Sequence, residues 1–268
     1  MTSTGTIEHE GAALHYELLG DDTRPHVAMI AGLGGAGRTW GEQIEKFACD
    51  YRVVLVDQRG TGRSTHTSER QTIAQHASDV AAVLAHVGAG PVHVVGSSTG
   101  GAIAQRLALD HPAWVRTLTI GSSWARPDAY LERELRVRRD LVLRGDGALV
   151  YGLYALLLFS PRFAREHPEA IQAWIDRATS QPFEAEIAAA RLEMLLAHDT
   201  LDRLGEIVQP ALVLCGTHDM TTPPQLSEEL AAHLPDVRLE TLVGGHMVHA
   251  EDPDGYYARV HEFIEAHA

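Results

Sequence analysis

Val94-Val95-Gly96-Ser97-Ser98-Thr99-Gly100-Gly101 ends an apolar, β-branched run and opens a helical pattern. A strand that turns this sharply into a helix forces its central residue into a strained backbone conformation. Side chains two positions to either side would collide, so both must be very small. Gly96 and Gly100 meet that requirement around Ser98, whereas the same offsets around Ser97 hold Val95 and Thr99. The register therefore selects Ser98. Its G-x-S-x-G turn stands the hydroxyl at a helix N-terminus, where partial positive charge favours anions.

Outward from this turn the chain alternates two periodicities. Apolar runs at 13–18, 26–31, 51–56, 91–95 and 115–120 read as strands, and 72–87 and 102–109 carry helical spacing. Short apolar strands separated by helices predict a mostly parallel sheet covered on both faces. From residue 126 the strand rhythm stops. Four helical segments follow at 131–143, 148–159, 169–179 and 184–197, broken at Gly145, Pro161, Pro168 and Pro182. Strands return at 210–215 and 238–242, with helices around 226–233 and from Pro253. The expected organisation is an α/β core, residues 1–125 and 207–268, interrupted by a helical insertion, residues 126–206.

The 268 residues are 45% hydrophobic and 22% charged, enough apolar surface to offset the entropy of ordering, which excludes a disordered chain. The net charge of −14 argues against a nucleic-acid or anionic-membrane partner. Only one of the 22 cations is a lysine, Lys46. Cys49 and Cys215 are too far apart, and too few, for a disulfide framework or a zinc site. The first residues lack the basic and apolar regions of a signal peptide, and the apolar stretch 148–159 is too short to span a bilayer. The expectation is a cytoplasmic enzyme acting on a small molecule, without cofactor or metal; a homo-oligomer is left open.

A serine hydroxyl is a weak nucleophile without a base, and the base needs an orienting carboxylate. Asp219, in Leu214-Cys215-Gly216-Thr217-His218-Asp219, lies just past one returning strand. His246, in Val243-Gly244-Gly245-His246, lies just past the next. Both fall at the sheet edge expected for Ser98, in the order serine, acid, histidine. His218 and His249 neighbour the chosen pair, but His249 is three residues too far along to replace His246. Asp128, the rival acid, is well removed from the preceding strand. For a developing oxyanion the candidate donors are the backbone N–H groups of Leu33, in Ala31-Gly32-Leu33-Gly34-Gly35, and of Thr99. The same loop competes for another reading. Gly32-Leu33-Gly34-Gly35-Ala36-Gly37 satisfies G-x-G-x-x-G, and Asp57 follows at the spacing of a ribose-binding acid. A dehydrogenase, however, leaves Ser98, Asp219 and His246 without a joint explanation.

Together these motifs resemble the α/β-hydrolases along nearly the whole chain. The resemblance includes Asp57-Gln58-Arg59-Gly60-Thr61-Gly62-Arg63-Ser64, the serine turn, Gly216-Thr217-His218-Asp219, and Gly245-His246 before Glu251-Asp252-Pro253. It implies an α/β-hydrolase fold, with an eight-stranded, mostly parallel sheet flanked by helices and an inserted helical cap. Gly121-Ser122-Ser123-Trp124, Arg136-Val137-Arg138-Arg139 and Leu156-Leu157-Leu158-Phe159-Ser160-Pro161 are similar to the 3-oxoadipate enol-lactonase and aminoacrylate hydrolase branch. Ala31 departs from the pattern, because many relatives have histidine there, so support of the glycine loop is in question. The implied activity is hydrolysis of a small carboxylic ester or (enol-)lactone through an acyl-enzyme. A C–C bond hydrolase of vinylogous diketones and a non-catalytic ligand receptor share the fold. A dehalogenase or epoxide hydrolase would need a carboxylate where Ser98 stands. Leu33, Trp124, Met220 and Met247 flank the catalytic positions and are expected to line the pocket, with Tyr151, Tyr154 and the leucines Leu156, Leu157 and Leu158 as its roof. Between Arg126 and Arg144 six arginines face four acids. These are expected as helix-surface ion pairs such as Glu132–Arg136 and Glu134–Arg138, with steering of an anionic substrate as the alternative.

Overall fold

The computed structural model describes residues 2–267. Eight strands form one sheet: β1 (Thr2–His9), β2 (Ala12–Leu19), β3 (His26–Ile30), β4 (Arg52–Val56), β5 (Val92–Ser97), β6 (Val115–Gly121), β7 (Ala211–Gly216) and β8 (Val237–Leu242). Their order is β1-β2-β4-β3-β5-β6-β7-β8. β2 runs antiparallel to β1 and to β4, and every later neighbour is parallel. β1 is the strand that sequence pattern did not reveal. It joins β2 through Glu10 and Gly11, both at positive φ (45° and 74°), the geometry of a tight hairpin whose twist matches its strands.

The central strands are buried along their whole length, which is why they read as unbroken apolar runs. Alternate residues serve opposite faces. Ala28 and Ile30 of β3 pack with α2 (Ile73–His86) and α3 (Thr99–Asp110), while Val27 and Met29 pack with α1 (Gln43–Asp50) and α11 (Pro253–Glu265). Between β6 and β7 lie five α-helices, α4 (Ala129–Val142), α5 (Gly147–Leu158), α6 (Pro161–Glu166), α7 (Pro168–Thr179) and α8 (Ala185–Leu196), and a 3-10 turn at Leu201–Glu206. Their starts are set by side-chain caps. Asp128, Asp146 and Ser160 accept from the amides of Leu131, Leu149 and Phe163, and Pro161 and Pro168 occupy first-turn positions where no amide is needed. α9 (Pro224–His233) and α10 (Val248–Glu251) complete the chain. Because β3, β5, β6, β7 and β8 are parallel, the loops at their C-terminal ends meet at one sheet edge. No helix among the described residues is long and apolar enough to cross a membrane.

Candidate active site

At the end of β5 the turn has the strain its glycines imply. Ser98 sits at φ 55°, ψ −119°, immediately before α3. A Cβ on Gly96 would lie 2.2 Å from the Gly100 carbonyl oxygen, and one on Gly100 would lie 1.9 Å from that of Ile30. Gly100 thus presses the serine turn against the end of β3, from which the glycine loop 31–37 departs. The Ser98 amide donates to the Gly121 carbonyl at 2.8 Å, and the Ser123 hydroxyl donates to the Ser98 carbonyl at 2.8 Å, so the strained peptide is pinned from β6.

Past β7, Asp219 turns back into the protein and is 4% exposed. Its Oδ1 accepts from the amides of Thr221 (2.9 Å) and Thr222 (2.8 Å), and its Oδ2 from the Thr222 hydroxyl at 2.9 Å. His246, past β8, is equally buried, and its Nδ1 lies 2.8 and 3.0 Å from the two carboxylate oxygens. This pairing assigns the Nδ1 proton to the Asp219 side and leaves Nε2 as the basic nitrogen. Ser98 and His246 line one cavity of about 720 Å³. Their side chains do not hydrogen-bond to each other among the described residues, a contact that in free enzymes often tightens only with substrate. Neither the Leu33 nor the Thr99 amide has an acceptor among the described residues, so both remain available to an oxyanion.

The glycine loop is braced by Asp57. Its Oδ1 accepts from Gly37 N at 2.8 Å and its Oδ2 from Arg63 N at 3.0 Å. The spacing that suggested a ribose-binding acid has this cause: β3 and β4 are neighbours, and the acid at the end of one holds the loop at the end of the other. At Ala31, support reaches the loop through the backbone. The Ala31 carbonyl accepts from Gln58 Nε2 at 2.7 Å.

Trp124, Met247, Tyr154, Tyr151, Leu158 and Leu33 all line the cavity, as the sequence predicts. Met220 does not. It is 47% exposed, because the 216–222 turn directs Asp219, Thr221 and Thr222 inward and Met220 to solvent. Asp128 is exposed and caps α4, and His218 is exposed beside Thr217. His249 is buried against Trp40 and Tyr256, and burial pushes it down to about 3, so it is a neutral wall of the cavity. Both expected ion pairs form, but differently. Arg136–Glu132 is an exposed 3.9 Å contact, whereas Arg138–Glu134 is a buried 3.0 Å pair on the cavity side, with the Arg138 guanidinium 4.2 Å above the Tyr154 ring.

Sequence reasoning missed Thr222, Glu251 and Arg191. Thr222 Oγ1 reaches both Asp219 and, at 3.2 Å, His246 Nδ1. Glu251 accepts from Gly245 N (3.1 Å) and from the amide and hydroxyl of Ser160 (both 2.6 Å), tying the histidine loop to the helical insertion. Glu251 stood in a recognised motif, but nothing in the sequence pointed to Ser160 as its partner.

The sheet order and a strained serine that shares one cavity with the histidine of a buried His–Asp pair define the α/β-hydrolase class. Comparison with known proteins agrees. The model of the alpha/beta hydrolase fold matches residues 25–253, and the chain belongs to that family. A protein of Azorhizobium caulinodans named "Putative carbamate hydrolase RutD" is 35% identical over 92% of this chain and 93% of its own. Its namesake in Caulobacter vibrioides is 32% identical over 97% of each chain. Among solved structures, a thermophilic esterase from Thermogutta terrifontis superposes with a TM-score of 0.86 at 26% identity, covering 100% of both chains. The enol-lactonase of Burkholderia xenovorans LB400 shares the fold with a TM-score of 0.88 at 23% identity, covering 97% of this chain and 100% of that one.

Proposed function

We propose that the chain is a serine hydrolase that cleaves a carboxylic ester or (enol-)lactone through an acyl-enzyme. The observation that carries the proposal is the hydrogen-bonded His246–Asp219 pair on the wall of the cavity that also holds Ser98. His246 Nε2 takes the Ser98 proton as the oxygen attacks the carbonyl carbon. Asp219, fixed by three donors of its own, holds the imidazole tautomer and offsets its positive charge. The Leu33 and Thr99 amides receive the oxyanion. His246 then protonates the leaving alkoxide or enolate, and water enters by the same route to release the acid.

The cavity supports an apolar body on the substrate. Leu131, Leu135, Val142, Val150, Tyr151 and Trp174 of the inserted helices face it, and it is large enough for a drug-sized molecule. Carbamate cleavage is the second reading, favoured by the names of the relatives. The same nucleophile and oxyanion donors serve it, with a nitrogen leaving group.

A panel of p-nitrophenyl esters of increasing acyl length, lactones, enol-lactones and carbamates, run beside Ser98→Ala, tests both. The expected result is turnover of esters or lactones, rising with acyl length, and a loss of roughly 10⁴-fold or more in Ser98→Ala with the fold intact. Ser97→Ala should retain activity. If Ser97→Ala were the inactive variant, or if ligands bound without turnover or covalent fluorophosphonate adduct, the proposal would fall.

A further inference from the structure

A guanidinium stands behind the loop that carries the Leu33 amide. Arg191, on α8, is 2% exposed and lines the cavity. Its Nε donates to the Leu33 carbonyl at 3.1 Å, its Nη1 to the Arg59 carbonyl at 2.9 Å, and its Nη2 to Gln58 Oε1 at 2.5 Å. Gln58 in turn donates to the Ala31 carbonyl. The side chain therefore fixes the peptide planes on both sides of Gly32–Leu33, one directly and one through Gln58. The plane between them has its own carbonyl engaged by Gly35 N at 2.9 Å, which directs the Leu33 N–H the opposite way.

This cation has no counter-ion among the described residues. The buried acids Asp79 and Asp57 are engaged elsewhere, Asp79 by Arg59 and Asp57 by the amides of Gly37 and Arg63. Burial alone pushes the Arg191 pKa down to about 10. A buried, unpaired charge is unfavourable for folding, and an apolar side chain of the same volume would avoid it. The charge instead lies against the loop where a negative oxygen is to develop.

Resting on the reading of Ser98 as nucleophile, we propose that Arg191 is the positioning residue of the oxyanion hole. It holds the Leu33 amide in donor orientation and contributes a fixed positive charge behind it. Because Arg191 belongs to the inserted helices, the hole is complete only when α8 is seated on the core.

The test compares wild type, Arg191→Met, Arg191→Lys and Gln58→Met, each checked for a cooperative thermal transition. The probes are a neutral and a carboxylate-bearing p-nitrophenyl ester, a trifluoromethyl ketone that mimics the tetrahedral adduct, and a fluorophosphonate that forms a Ser98 Oγ–P bond and expels fluoride. For Arg191→Met the expected result is a kcat roughly 100-fold lower, the scale of losing one oxyanion donor. KM should stay within about threefold on both esters, the ketone should weaken in parallel with kcat, and phosphonylation should slow. Lysine, which keeps the charge but not the fork, should restore part of the loss. Gln58→Met should show the same kcat-selective pattern more weakly, and it carries the test if Arg191→Met does not fold. A rise in KM confined to the anionic ester, with kcat retained, would make Arg191 a substrate-binding group and overturn the inference. So would equal phosphonylation rates in wild type and the folded variants. A wild type inert to the fluorophosphonate would instead overturn the Ser98 reading, and this inference with it.

Discussion

At the residue scale, two glycines show how one chemical change takes opposite signs. A methyl group on Gly100 would stand 1.9 Å from a backbone oxygen of β3 that cannot move without breaking the sheet. Gly100→Ala should therefore cost more than about 4 kcal/mol, or leave no soluble protein. Gly152, within α5, has nothing within 4 Å of its virtual Cβ. There Gly152→Ala should raise stability by about 0.5–1 kcal/mol in urea unfolding, since alanine loses less entropy in a helix. The same steric logic made Ser98 legible in the sequence, because the glycine spacing encodes the turn. Asp219 and His246 were legible because each follows a strand whose end is fixed by the sheet. Thr222 was not, since its role exists only once β7 and β8 lie side by side. Thr222→Val removes a hydroxyl donated to a buried carboxylate at 2.9 Å. It should lower kcat/KM about tenfold, the worth of one charge-assisted hydrogen bond, without preventing Ser98 labelling.

At the element scale, the inserted helices α4, α5, α7 and α8 begin and end within two residues of expectation, because capping aspartates, prolines and glycine announce their ends. α6 escaped notice: six residues between Pro161 and Pro168 carry too few turns to show a period. β1 escaped for another reason. Its residues are mostly exposed, and its pairing with β2 rests on backbone bonds that leave no apolar alternation to read. The contact joining insertion to core was equally hidden, since Glu251 and Ser160 are 91 residues apart. Glu251 satisfies two backbone amides and a hydroxyl at once. Glu251→Leu should strand those donors and lower stability by about 2–4 kcal/mol, with reduced activity as the His246 loop loosens. Glu251→Gln, which keeps an acceptor oxygen, should lose less than half as much. Equal losses in the two variants would show that packing, and not hydrogen bonding, holds the loop.

At the scale of the whole molecule, acid is the condition to which this fold should be most sensitive. Four histidines are enclosed and neutral: burial depresses His93 and His198 to about 4, His249 to about 3, and His76 well below its ordinary value. They sit in different parts of the structure, His93 on β5 against Thr117, His198 edge-on to Trp124, His76 beside Gln71, and His249 between Trp40 and Tyr256. In the unfolded chain each titrates near 6.5. Between that value and the lower folded one, the unfolded state binds a proton that the folded state refuses, so stability must rise with pH there. Their contribution is intact above about pH 6.5 and is lost as pH falls toward 4, at up to about 1.4 kcal/mol per pH unit for each histidine. Several such groups together approach the total stability of an ordinary domain, about 5–15 kcal/mol. The urea midpoint should therefore fall steeply from pH 7 to pH 4, and the protein should unfold before the lower limit. His249→Phe keeps a ring between Trp40 and Tyr256 but has nothing to protonate, and should flatten the slope by close to one proton's worth. An unchanged slope in that variant, or a urea midpoint level across the range, would show that the enclosed imidazoles do not set the acid limit of this fold.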